Sequence, residues 1–175
     1  VESKRVNVYQ NVNNGLFFGA IAALVAGLGR VSLHDQPPAV WLFTAFFVLF
    51  RLKMFLDDHR YFADAPTATS EFKIGFLLGI ASWIFWAWSG TQISQLSDAC
   101  YLLGIGITIA TVWVAVVALR QRKPHHFIWV GTNAICVALL WSASRRPATD
   151  WLSVCFLAFA ILIVMVDLTW SKSIS

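Results

Sequence analysis

Charge is what this sequence has least of. Asp, Glu, Lys and Arg make up 13% of its 175 residues, about half the ~25% usual in soluble chains. Cysteine is limited to Cys100, Cys136 and Cys155. They are far apart and form no CxxC pair, which gives no support to a disulfide framework, a metal finger or haem attachment. Cys136 and Cys155 lie in apolar runs, where a thiol behaves as a small hydrophobe. No phosphate-cradling glycine loop, GxSxG or HExxH occurs. The long aspartate array expected of a lipid-headgroup transferase is also missing.

What remains is apolar. Hydrophobic residues reach 58% with glycine left out, aromatics reach 15%, and the mean hydropathy is +0.68. Such a composition excludes intrinsic disorder and low-complexity fibres, and it points to an integral membrane protein. A spanning helix needs about 20 mostly apolar residues. Six segments meet that requirement, at about 14–32, 39–56, 74–93, 99–119, 126–143 and 151–170. Pro37-Pro38, Pro124 and Pro147 punctuate the starts of the second, fifth and sixth. The runs are continuous and lack the period-two alternation of barrel strands, so the expected fold is all-α. One bundle covers residues 1–175, and its first apolar run is read as a retained helix, not a cleaved signal peptide.

The basic residues give the expected orientation. With both termini cytoplasmic, the inner segments hold Lys4, Arg5, Arg51, Lys53, Arg60, Lys73, Arg120, Arg122, Lys123 and Lys172. The outer loops hold only Arg30, Arg145 and Arg146, so the distribution is positive-inside. The net charge of +4 is then explained by topology, with no nucleic-acid partner. A bacterial inner (cytoplasmic) membrane is the expected location. Trp41, Trp88, Trp141 and Trp151 fall near the outer interface, and Trp129 and Trp170 near the inner one, as an aromatic belt would place them.

Three features bear on function. Gly15, Gly19, Ala23 and Gly27 form a small-residue stripe, repeated in Gly75 and Gly79, suited either to packing within the chain or to a homo-oligomer seam. Ser82, Trp86 and Ser89 share a helical face that suits core packing or a flat apolar ligand. Thr108, Thr111, Thr132, Asn133 and Asp167 are polar at membrane depth, where such groups tie helices together or line a path.

The densest chemistry is the cluster Arg51, Lys53, Asp57, Asp58, His59 and Arg60. Lys53 and Asp57 are spaced to pair at i,i+4 if the second helix continues past the interface. The cluster can be an interfacial ion-pair network, a relay of carboxylates for protons or cations together with Asp167, or a metal site. A metal site would recruit Asp58, His59 and His126. The leading expectation is a homo-oligomeric channel or transporter-like subunit. The alternatives are a non-catalytic accessory or scaffold subunit of a larger membrane complex, and a metal-dependent membrane enzyme. Lipid bilayer and self-association, or another membrane subunit, are the expected partners, and no cofactor is specified by the sequence.

Overall fold

The computed structural model describes the backbone of residues 2–64, 70–122 and 124–170, and the side chains of residues 11–32, 34–58, 73–122 and 124–170. Among the described residues there are six α-helices: α1 (Glu2–Leu28), α2 (Pro38–Asp64), α3 (Ser70–Thr91), α4 (Leu96–Gln121), α5 (Pro124–Ser144) and α6 (Trp151–Trp170). A short 3-10 turn, Leu33–Asp35, joins α1 to α2. All six helices are long and apolar enough to cross a membrane.

Helix ends follow local chemistry. Pro38 and Pro124 open α2 and α5, where a missing N–H costs nothing and the fixed φ already suits a helix. Arg122 adopts the left-handed conformation after α4 and its N–H bonds the carbonyl of Ala118, so an orphan carbonyl is satisfied before Pro124 starts the next helix. Asp150 caps α6, its Oδ1 accepting the N–H of Leu152 at 3.0 Å. That bond, followed by the Arg146 guanidinium, holds the Asp150 carboxyl below the usual carboxylate range.

Two span boundaries differ from expectation. The first apolar span is Asn11–Leu28, not 14–32, because Gly27 and Gly29 bracket the last helical residue and the chain turns there. The second helix runs unbroken to Asp64, which carries the charged cluster on helix and not on a loop.

The helices form a closed ring in the order α1, α3, α4, α5, α6, α2 and back to α1. Close approach at one point depends on glycine. A Cβ at Gly27 would collide with the carbonyl oxygen of Gly90, so α1 and α3 meet backbone to backbone there. Gly19 instead makes room for the Trp83 side chain of α3. Gly19 and Gly27 of the stripe are therefore used within the chain, as helices associate where hydrocarbon offers no hydrophobic drive, whereas Gly15 meets open space. Phe43, Phe46 and Phe47 of α2, Trp86 of α3, Leu103 of α4, Leu140 of α5 and Leu157 of α6 fill the half of the bundle toward the α5–α6 connection.

Candidate functional site

The other half of the bundle is polar inside. From α2, Lys53 reaches Asp57 one turn on, with Nζ 2.9 Å from Oδ2. The ring order sets α6 beside α2, and Asp167 of α6 brings its Oδ2 to 3.0 Å from the same Nζ. From α5, Thr132 donates its hydroxyl to Asp167 Oδ2 at 2.6 Å. The hydroxyl has a second acceptor in reach, the carbonyl of Ile128 at 3.0 Å. The ammonium also lies 5.6 Å from the Phe50 ring centroid and 5.5 Å from that of Trp129, within the range of cation–π attraction.

Arg51 and Asp58 sit two helical turns apart on α2 and interact electrostatically. The Arg51 guanidinium lies 5.8 Å from the Trp86 ring. The charges at the centre of this cluster are buried, with Lys53 2% exposed, Asp167 1% and Arg51 3%, while Asp58, Trp129 and Thr132 are half-buried.

Depth agrees with burial. At 1.5 Å per residue, Lys53 is about 22 Å along α2 from Pro38, and Asp167 about 24 Å along α6 from Trp151. Thr132 approaches from the opposite end, about 12 Å along α5 from Pro124. Lys53, Asp57 and Asp167 of the expected cluster are thus enclosed by the bundle, because α2 stays helical and α5 and α6 close over them. His59 and Arg60 lie outside the described residues.

Beside this network is a cavity of about 70 Å³, lined in part by Asn13, Arg51, Lys53, Asp57, Asp58, Trp129 and Asn133. At roughly 10–15 Å³ per water, that volume holds about five waters. Among the described residues, four buried polar atoms on its lining residues have no hydrogen-bond partner: Asn13 Nδ2, Arg51 Nε, Trp129 Nε1 and Asn133 Oδ1. A buried polar atom left unpaired costs about 1–3 kcal/mol. The rest of the lining is largely apolar, including Leu16, Phe76, Trp113 and Val117.

The other polar residues separate into distinct roles. Thr108 and Thr111 donate to the carbonyls of Gly104 and Ile107 on their own helix and are not among the cavity-lining residues. Ser82 and Ser89 tie α3 to α4 through the carbonyls of Gly106 and Ala99, with Trp86 fully buried beside them. His126 is buried and stacks near His125 and Trp129, at centroid distances of 4.2 and 5.1 Å. Among the described residues no three His, Cys, Asp or Glu side chains group as metal ligands.

Two contributors escape a reading of the sequence. Asn13 lies one residue before the expected first span, so it counts as outside the membrane. Trp129 belongs to the belt by distance from its helix end, yet its helical face turns it to Lys53. The signal available for Asn13 was its position within one turn of Leu16, in a polar run that continues directly into an apolar helix. No protein-family model matches the chain, and neither a curated protein nor a solved structure matches it.

Proposed function

We propose that this chain is a polytopic membrane protein, both termini cytoplasmic, acting as a transporter-like protein that moves protons through its hydrated cavity and the Lys53–Asp57–Asp167 network. The observation that carries this reading is a water-sized cavity beside a buried ion network, with Asn13, Arg51, Trp129 and Asn133 in its lining, each holding an unpartnered polar atom. Interhelical glue alone needs no cavity beside the ion network. Ionisable residues within a bilayer are costly, and they mark ion pathways and proton relays. The small volume favours protons carried on water over a larger solute.

A transporter-like cycle is favoured over an open pore. The cavity occupies one half of the bundle, and Phe43, Phe46, Phe47 and Trp86 pack the other half, where the buried serines Ser82 and Ser89 are spent on helix carbonyls. Movement of that aromatic plug would give access from its side. The excess of basic residues at the Lys53 end supports a cytoplasmic face there, and with it a bacterial cytoplasmic membrane.

The test is flux. The full chain is reconstituted into liposomes holding a pH-sensitive dye, and a pH gradient is imposed. Decay of the gradient faster than in empty liposomes is expected. Asn133→Leu should slow it about tenfold, the effect of roughly 1.4 kcal/mol on a barrier. Flux no greater than in empty liposomes, or flux unchanged in Asn133→Leu, overturns the reading.

A further inference from the structure

The end of the bundle opposite Lys53 carries a second cluster that the proton path does not use. The α5–α6 connection holds Arg145 and Arg146, which break the otherwise one-sided distribution of basic residues. Both line a groove of about 450 Å³ together with Ser142, Pro147, Asp150 and Phe156.

The two arginines differ in how they are held. Arg146 Nη1 is 2.9 Å from Asp150 Oδ2, and its guanidinium lies 5.9 Å from the Phe156 ring. Asp150 is itself fixed through its other oxygen by the N–H of Leu152. One guanidinium is therefore held in place, and its charge is offset by the Asp150 carboxylate. Arg145 is exposed and makes no ion pair among the described residues, so the groove retains one uncompensated positive charge.

Below the groove the surface turns apolar along one helical face. Leu152, Phe156 and Phe159 follow at i, i+4 and i+7 on α6, spacing that aligns them in a stripe. Leu152 is 41% and Phe159 61% exposed. Trp151, 72% exposed at the start of α6, suits the membrane–water boundary. A guanidinium is matched to a phosphate through parallel N–H···O bonds. A free phosphate would use the arginine and leave the stripe unused. An amphiphile uses both.

We propose that the groove between α5 and α6 binds an anionic phospholipid, with Arg145 contacting the headgroup phosphate, Arg146 fixed beside it, and an acyl chain lying along Leu152, Phe156 and Phe159. This rests on the membrane reading above but not on proton movement.

The experiment uses the full chain in detergent micelles doped with phosphatidylglycerol or phosphatidylcholine, with retained lipid counted by native mass spectrometry. Arg145→Gln is the test variant, since its side chain is exposed and unpaired and its loss leaves the fold intact. Arg30→Gln, at the same end of the bundle, is the control. Phosphatidylglycerol is expected to be retained by the parent and by Arg30→Gln, and about fivefold more weakly by Arg145→Gln, the effect of one basic residue at a lipid surface. Equal retention by parent and Arg145→Gln overturns the proposal, as does retention of phosphatidylcholine equal to that of phosphatidylglycerol. A third arm replaces the lipid with inorganic phosphate. If phosphate raises the unfolding temperature as much as phosphatidylglycerol does, the ligand is a free anion and the lipid assignment fails. Flotation with phosphatidylcholine vesicles scores membrane insertion separately, so a chain that floats but shows no lipid preference refutes the groove alone.

Discussion

Replacing Lys53 by methionine separates structural from functional reasons for burying charge. Nζ lies 2.9 Å from Asp57 and 3.0 Å from Asp167. At an effective dielectric near 20, each contact is worth about 5–6 kcal/mol before desolvation. Removing three ions from water costs several kcal/mol apiece, so most of that attraction is cancelled. Deleting the ammonium alone leaves two buried carboxylates without the cation they share. Breaking a buried pair in this way costs about 3–5 kcal/mol. The charge-free combination Lys53→Met, Asp57→Leu and Asp167→Leu removes the desolvation cost together with the attraction. It is expected to be neutral or to stabilise by about 1–4 kcal/mol, because the Thr132 hydroxyl still has the Ile128 carbonyl at 3.0 Å. The assay is equilibrium unfolding in mixed detergent–dodecyl sulfate micelles. A Lys53→Met chain within about 1 kcal/mol of the parent, or a triple variant as damaged as the single one, would refute the reasoning.

Three further expectations follow from single contacts. Thr132→Val removes a hydrogen bond to a charged acceptor and should destabilise by about 1.5–3 kcal/mol in the same assay. Gly27→Ala drives a methyl into the Gly90 carbonyl and should cost about 1–3 kcal/mol; Gly79→Ala, which meets open space, should be neutral or gain helix propensity. Asp150 has its folded pKa held below its unfolded value by the Leu152 N–H and by Arg146. Its stabilising contribution is therefore complete above about pH 4 and is lost as pH falls through the lowered folded value. The thermal midpoint of the parent should drop on acidification across that window, and drop less in Asp150→Asn, which keeps a capping acceptor.

The helices and their number were legible because the length of an apolar run is a local property. So were the starts at Pro38 and Pro124, where a proline acts on its own turn. The Lys53–Asp57 pair was legible for the same reason, being fixed by i,i+4 spacing on one helix. The partnership of Lys53 with Asp167 was not, because it depends on α6 lying beside α2, and ring order is set by packing surfaces such as Gly27 against Gly90. The burial of Lys53 was not legible for a related reason: it comes from α5 and α6 packing over it, not from its position along α2. Trp129 illustrates the limit most simply. Its distance from the helix end suits a belt, and only the rotation of α5 turns it toward an ammonium.

The most direct test is proton flux in liposomes, measured side by side for the parent and the charge-free Lys53→Met/Asp57→Leu/Asp167→Leu chain, with folding of both checked by circular dichroism. The parent should dissipate an imposed pH gradient, and the triple variant should be folded yet no faster than empty liposomes. Equal flux in the two chains would contradict a path through Lys53, Asp57 and Asp167.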